Sequence, residues 1–198
     1  MQKISLTHLT VSMTLVAIFG CVAPAEDVSL KPEGMRFPGM NRPDVRGVHG
    51  AVVSGHPLAT AAGHEVLKAG GNAIDAAITM AGVLAVVRPH MNGVGGDAFG
   101  IFYDGVTGEV VGMNGSGRAG ALATPNFFEL AGQEEIPSTG PLSVSVPGAV
   151  AAWDDALSRF GTISLSEALA PAIQYAREGF PVSTRLASDI AGASEHLN

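Results

Sequence analysis

The 198-residue sequence has a single cysteine, Cys21, so no disulfide can form within the chain. Charged residues make up only 15% of it, against about 25% in typical soluble domains. It has no cluster of basic residues, and eleven Lys and Arg against eighteen Asp and Glu give a net charge of -7. Because binding to a phosphate backbone requires a positive surface, we expect no nucleic-acid partner.

The motifs of common cofactor, metal and serine enzymes are also missing. The run Gly93 to Asp97 follows a predicted helix and precedes a predicted strand, whereas a dinucleotide-binding loop follows a strand and opens a helix. We interpret it as a tight turn in which glycine allows close backbone approach. No H-E-x-x-H occurs among the six histidines, so no metal site is predicted. Without a G-x-S-x-G elbow, Ser116 is not predicted to be a nucleophile, and we expect no cofactor.

The N-terminal region has the pattern of an export signal. The apolar stretch from Leu9 to Gly20 is too short to span a bilayer easily, and Ala23-Pro24-Ala25 matches a signal-peptidase site. We therefore expect residues 1–25 to be a signal peptide and the protein to be periplasmic or secreted by a bacterium. An alternative is lipidation at Cys21, and only in that case is a membrane a partner.

The rest of the chain alternates predicted helices with a few strands. Residues 26–46 are rich in Pro and Gly and predict an extended lead-in. The β-branched run Gly50 to Ser54 predicts a strand, which His56 caps through its Pro57 turn, and His90 is given the same capping role after Pro89. Further predictions are a helix from near Leu58 to Gly70, a buried helix Ala73 to Val87 capped by Asn72, and a hairpin between Phe99 and Asn114.

Beyond the hairpin, the pattern is mainly helical. Thr124-Pro125 opens a short helix ending at Leu130, and Pro147-Gly148 opens an amphipathic helix. The predicted apolar face of the latter helix consists of Val150, Trp153, Leu157 and Phe160. Ser166-Glu167 opens a helix spanning Ala168 to Arg177, and Ser188 to Asn198 is polar and only weakly helical. This order predicts an α/β (α+β) fold with helices layered on a sheet.

Several short segments occur in an order that identifies a family. These segments are H-P-L-A from His56, G-G-N-A-I-D-A-A from Gly70, Pro89-His90, Gly93 to Asp97, Ser145 to Gly148 and Ala176 to Phe180. Together they resemble the large subunit of the γ-glutamyltranspeptidase (glutathione hydrolase) family, from about Arg46 to Gly179. The resemblance implies an αββα N-terminal-nucleophile hydrolase sandwich, incomplete in this chain, with residues 47–198 forming the N-terminal part of a truncated large subunit.

The resemblance also implies a self-cleaving precursor whose nucleophile is a threonine freed at the start of the small subunit, in a Thr-Thr-His context. No two threonines are adjacent in this sequence. We therefore assign no catalytic residue and expect this chain to be inactive by itself. Its expected partners are the remaining large-subunit and small-subunit sequence and a small amide or γ-glutamyl substrate. A non-catalytic exported homologue is an alternative.

Two loops are predicted to bind the substrate, on the basis of the resemblance. One comprises Gly95, Gly96 and Asp97; the other contains Ser116 and Arg118. In the family, the segment resembling D-G-R-E-x-A-P supplies an arginine for the α-carboxylate of the glutamyl group, and here Ser116 stands at that position. Arg118 lies on the same face of an extended segment, although an isolated arginine is often merely solvated or ion-paired. The G-S-G-R form is similar to oxamate amidohydrolase and cephalosporin acylase-like members.

Overall fold

The computed structural model describes residues 45–197, so the expected signal peptide and most of the lead-in lie outside the described residues. The elements in chain order are α1 (Pro57–Lys68), α2 (Ala73–Val87), β1 (Ala98–Tyr103), β2 (Val110–Gly115), α3 (Pro125–Leu130), a 3-10 turn (Pro141–Ser143), α4 (Ala149–Phe160), α5 (Leu165–Glu178) and α6 (Thr184–Leu197). Within residues 45–197, no helix is both long and apolar enough to cross a bilayer.

Local capping residues fix where most of the helices begin. The Asn72 side chain accepts hydrogen bonds from two N–H groups of the first turn of α2, and the Asp75 carboxylate accepts one from the Asn72 N–H, which confirms the predicted bounds of α2. Thr124 caps α3 as predicted. Helix α5 begins earlier than predicted, because Ser164 is its N-cap and forms a capping box with Glu167.

The predicted strand from Gly50 to Ser54 is wrong. This segment is unpaired, since no strand lies beside it among the described residues, and a β-branched run forms a ladder only with a partner. Consequently His56 does not cap a strand. Its Nδ1 accepts a hydrogen bond from the N–H of Leu58 at 3.2 Å and so caps the start of α1.

The predicted hairpin is confirmed to within one residue at each end. Strands β1 and β2 are antiparallel, with Ala98 opposite Gly115 and Tyr103 opposite Val110. Their inner face is half-buried against α4, where Phe102 packs against the core. The outer face is exposed to solvent and carries several large apolar side chains: Phe99, Ile101, Tyr103 and Val110.

Helix α2 lies at the centre of the described core, as its apolar sequence predicts. One cluster joins Ile78 to residues of α4 and α5, and a second joins Val83 and Val87 to α1 and α5. The predicted face of α4 is wrong at Val150, which is 37% exposed. The helix turns small residues, Ala152 and Ala156, toward the core instead, beside the confirmed Trp153 and Leu157.

Helix α6 extends over a region for which the sequence predicts only weak helicity. Its Leu186 is buried, and Asp189 lies 3.2 Å from Nε2 of His90, in the turn after α2. The predicted capping role of His90 is therefore also wrong, because its side chain contacts a distant helix. The buried Leu186 anchors this otherwise polar helix, and the contact of Asp189 with His90 joins it to the turn after α2.

Candidate functional site

The two predicted substrate loops lie side by side. One precedes β1 and the other follows β2, so the pairing of Ala98 with Gly115 brings them to the same end of the hairpin. Asp97 Oδ1 accepts a hydrogen bond from the N–H of Gly117 at 2.7 Å. The structure thus brings together residues that are 20 positions apart in the sequence.

The start of α4 contacts both loops. The carbonyl oxygen of Gly96 accepts hydrogen bonds from the N–H of Gly148 at 3.1 Å and of Ala149 at 2.9 Å. No side chain caps this helix, so Gly96 supplies the acceptor that its first N–H groups need. On the other side, the N–H of Val146 donates to the carbonyl of Arg118 at 2.8 Å. The segment from Val146 to Ala149 therefore holds both loops in place.

Close packing requires glycine at two of these positions. A Cβ atom at Gly117 would overlap the carbonyl oxygen of Val146, and one at Gly148 would overlap the carbonyl oxygen of Gly115. Gly95 differs, because a Cβ there would meet no atom within 4 Å. The interpretation of Gly95 as a site of close backbone approach is therefore wrong for the described part of the chain.

Ser116 and Arg118 line a cleft of about 490 Å³ between the open edge of β2 and α4. Gly95, Gly96 and Asp97 line a different depression, of about 560 Å³, together with the turn from Pro89 to Gly93. Asp97 also lines a third cavity, of about 500 Å³, between β1 and α2, so the five predicted residues face three cavities. The hydrogen bond from Gly117 to Asp97 joins the two loops.

The cleft also contains two charged residues that the sequence analysis missed. Asp155 and Arg159, one turn apart on α4, line it opposite Ser116 and Arg118. Arg159 Nη1 lies 3.4 Å from Asp155 Oδ2, and its guanidinium lies 4.9 Å from the ring centre of Phe160. Their spacing of four residues on the polar side of an amphipathic helix was the available signal. Arg118 is exposed and lines the same cleft, so two guanidinium groups and one carboxylate border it, and Arg118 is the cation that is not paired with Asp155.

Asp75, in the G-G-N-A-I-D-A-A segment, belongs to none of the three cavities and is fully buried. Its carboxylate accepts hydrogen bonds from the Thr162 hydroxyl at 2.6 Å and from the N–H groups of Asn72 and Thr162, each at 2.8 Å. Burial alone would raise the pKa of Asp75, but these bonds, with one from the Ile163 N–H, hold the pKa below its ordinary value. The residue links α2 to the turn between α4 and α5, so its role is structural.

Among residues 45–197, no group of three or more His, Cys, Asp or Glu side chains is arranged to hold a metal ion. What the geometry offers is a cleft with both apolar and charged side chains, Arg118 and Arg159 among them, backed by closely packed glycine loops. Such a cleft is suited to a small anionic or amide-bearing molecule. The family model described as Gamma-glutamyltranspeptidase matches residues 59–198.

The chain belongs to the γ-glutamyltranspeptidase family. It is 45% identical to the glutathione hydrolase-like YwrD proenzyme of Bacillus subtilis (strain 168) over 145 residues, which is 73% of this chain and 27% of that proenzyme. It therefore spans about a quarter of the length of this relative.

Two solved structures have the same fold over most of this chain. The γ-glutamyltranspeptidase of Helicobacter pylori matches with a TM-score of 0.72 and 36% identity, covering 77% of this chain and 44% of that one. A cephalosporin acylase from Bacillus halodurans matches with a TM-score of 0.67 and 45% identity, covering 71% and 26%. The expected fold of an N-terminal-nucleophile hydrolase is thus confirmed, with the described residues forming part of it.

Proposed function

We propose that this chain is the N-terminal part of an exported, self-cleaving amidohydrolase precursor of the γ-glutamyltransferase type. The family match and the proenzyme relatives support a precursor, and the pattern of residues 1–25 supports export. No two threonines are adjacent in the sequence, so the nucleophile belongs to residues beyond it. We expect this chain to assemble with the remaining large-subunit and small-subunit segments of the same precursor.

The proposed reaction is amide cleavage through an acyl-enzyme. The freed threonine hydroxyl attacks the amide carbonyl, its own α-amine takes the proton, and backbone N–H groups stabilise the oxyanion. Water or an acceptor amine then releases the acyl group. In this scheme the present chain supplies the wall that recognises the acyl group and no reacting atom.

The observation that carries the proposal is the cleft between α4 and β2 with the loop that follows β2. Arg118 and Ser116 lie on its wall, in a loop held by hydrogen bonds to the Asp97 side chain and to the Val146 backbone. An arginine at such a wall can form a charge-assisted, bidentate contact with the carboxylate of an acyl group. Gly96 and Asp97 support this wall from behind, and Gly95 extends the same loop.

A second candidate is an amidohydrolase of the same chemistry with a different acyl preference, such as oxamate or a cephalosporin side chain. Ser116 favours it, because a serine stands where the family's carboxylate-binding arginine is expected. A hydrogen bond to a charged group is worth about 1.5–3 kcal/mol, or roughly ten- to more than a hundredfold in specificity. We therefore expect weak action on glutathione relative to simpler amides.

The test is expression of the whole precursor and of this chain by itself. We expect the precursor to split into two subunits, the smaller beginning with threonine, and to hydrolyse γ-glutamyl-p-nitroanilide or 4-aminobutyryl-p-nitroanilide. The second substrate lacks the α-carboxylate and so reports acyl preference. This chain by itself should release no p-nitroaniline above the blank. A precursor that neither splits nor turns over either substrate would instead support a non-catalytic homologue.

A further inference from the structure

Asp97 contacts the loop that contains Ser116 and Arg118, which is proposed to recognise the acyl group. From its position it can act on that loop without touching the substrate. It is the last residue before β1, and its carboxylate accepts the Gly117 N–H at 2.7 Å, in the loop that follows β2. A carboxylate acceptor makes such a bond charge-assisted and shorter than one between neutral groups. The bond spans the open end of the hairpin, beyond the last backbone pair.

The side on which Asp97 lies argues against direct substrate contact. Asp97 does not line the cleft that contains Arg118. It lines the depression formed with Pro89 to Gly93 and the cavity between β1 and α2. One carboxylate oxygen is already engaged by Gly117. The effect of Asp97 on a substrate is therefore transmitted through the loop.

Three consecutive residues of that loop are each fixed by one hydrogen bond. The Ser116 N–H donates to Asn114 Oδ1 at 3.0 Å, the Gly117 N–H donates to Asp97, and the Arg118 carbonyl accepts from Val146. The bond from Gly117 to Asp97 restrains the one residue of the three that has no side chain. Without that bond, the Gly117 N–H loses its acceptor and the backbone between Ser116 and Arg118 gains freedom.

We propose that Asp97 is a positioning residue that sets acyl specificity by fixing the loop carrying Ser116 and Arg118. This inference rests on the proposed function, because it assigns the loop to acyl recognition. A shift of about 1 Å in a binding group can cost up to about a hundredfold in rate, so a loosened loop should weaken carboxylate recognition measurably. Substrates without that carboxylate should be affected little.

The test uses the mature enzyme from the whole precursor, with Asp97→Ala, Asp97→Asn and Arg118→Ala. Asparagine keeps an oxygen acceptor at the same distance along the side chain, whereas alanine removes it. Asp154→Ala is the matched control, since Asp154 is an exposed aspartate on α4 that lines none of the three cavities. The first readout is the ratio of kcat/KM for γ-glutamyl-p-nitroanilide to that for 4-aminobutyryl-p-nitroanilide.

We expect Asp97→Ala to lower this ratio about ten- to a hundredfold, mainly through KM for the γ-glutamyl substrate, with Asp97→Asn recovering most of it. Arg118→Ala should lower the ratio similarly, and Asp154→Ala should leave it unchanged. A ratio lowered by Arg118→Ala but not by Asp97→Ala overturns the positioning role while the proposed function stands. A ratio changed by neither substitution overturns the specificity role of the whole loop.

A second readout reports the hydrogen bond independently of activity. Labelling with carbonyl-¹³C serine and ¹⁵N glycine marks only the Ser-Gly pairs of the enzyme, of which this sequence has two, 54–55 and 116–117. Ser116→Ala removes the label before Gly117 and so assigns its signal among all such pairs. The Gly117 amide proton should resonate downfield in the wild type, upfield in Asp97→Ala and between the two in Asp97→Asn. An unchanged Gly117 resonance in Asp97→Ala overturns the proposal whatever the kinetics show.

Discussion

At the scale of single residues, the ionisation of Asp75 is linked to folding. Its pKa in the folded protein lies below the ordinary value of 3.8, because hydrogen bonds from Thr162, Asn72 and Ile163 outweigh the effect of burial. A carboxyl group with a lowered folded pKa contributes stability that is fully present above its unfolded pKa. That stability is lost as the pH falls through the lower, folded pKa.

We therefore predict that the thermal midpoint of the mature enzyme falls as the pH drops below about 4, and that Asp75→Asn flattens this dependence. At pH 7, Asp75→Ala should destabilise by about 3–5 kcal/mol, because it leaves buried N–H donors without an acceptor. The measurement is thermal unfolding between pH 3 and pH 7. Asp154→Asn, an exposed site, should keep the wild-type slope, and parallel curves for Asp75→Asn and wild type would contradict the prediction.

Ser116 provides a second prediction at this scale. Ser116→Arg should place a guanidinium in the cleft and raise the preference for γ-glutamyl over 4-aminobutyryl substrates about tenfold or more. Ser116→Gln has a side chain of comparable reach without the charge, so it separates charge from size. The measurement is again the ratio of kcat/KM. Equal ratios for the arginine and glutamine variants would show that charge at position 116 does not set acyl preference.

At the scale of elements, α6 depends on few contacts. Leu186 is 3% exposed, whereas the contact between the side chains of His90 and Asp189 is only partly buried and Arg185, which pairs with Asp189, is 79% exposed. Truncating a buried leucine costs about 2–5 kcal/mol, whereas an exposed ion pair is worth about 0–1 kcal/mol. The attachment of this helix should accordingly depend mainly on Leu186.

We predict that Leu186→Ala increases deuterium uptake throughout α6, that Asp189→Ala does so less, and that Arg185→Ala has almost no effect. The measurement is hydrogen exchange with mass spectrometry on peptides covering residues 184–194. Uptake in the helix α1 peptide serves as an internal control, since α1 packs against α2. Equal uptake for the Leu186 and Arg185 variants would mean that the buried contact does not hold the helix.

Elements whose signals are local were predictable from the sequence. The bounds of α2 follow from Asn72 and Asp75 at one end and Pro89 just beyond the other, all within a few residues of the helix. The strand expected at Gly50 to Ser54 failed because pairing depends on a partner distant in the sequence. The same limitation explains Val150 and α6, since neither the packing of small residues on α4 nor the contact with His90 has a local signal.

The sequence named the two loops and the hairpin between them, and the structure brings the loops together at one end of that hairpin. Their role in binding substrate stays a prediction. That Ser116 and Asp97 face different cavities could not be read from the sequence, because it depends on the contact of α4 with both loops. The spacing of Asp155 and Arg159 on α4 is a local signal for their pairing, but their place in the cleft depends on the packing of α4 against the hairpin.

At the scale of the whole molecule, the outer face of the hairpin is apolar and exposed. Phe99, Ile101 and Tyr103 are between 67% and 81% exposed, side by side along β1. An exposed apolar patch of this kind promotes association or binding of apolar molecules. In the proposed precursor, the remaining subunit sequence covers it.

We predict that this chain expressed by itself binds ANS strongly and melts without a sharp cooperative transition. The mature enzyme should bind little ANS and should melt cooperatively. The measurement is ANS fluorescence with thermal unfolding and size-exclusion chromatography. Ile101→Thr together with Tyr103→Thr, which keeps β propensity on the exposed face, should reduce ANS binding by this chain. A monomeric elution profile with a sharp melt would contradict the prediction.

The buried carboxylate of Asp75 has a further consequence for the order in which the chain assembles. Its partner Thr162 lies 87 residues later in the sequence. At about 5–20 residues per second, synthesis takes roughly 4 to 17 s to cover that distance, during which α2 can form but its carboxylate has no Thr162 to bind. Until then the carboxylate has only its local hydrogen bond from the Asn72 N–H, so the packing of α2 can be completed only after α4 and the turn before α5 have been made.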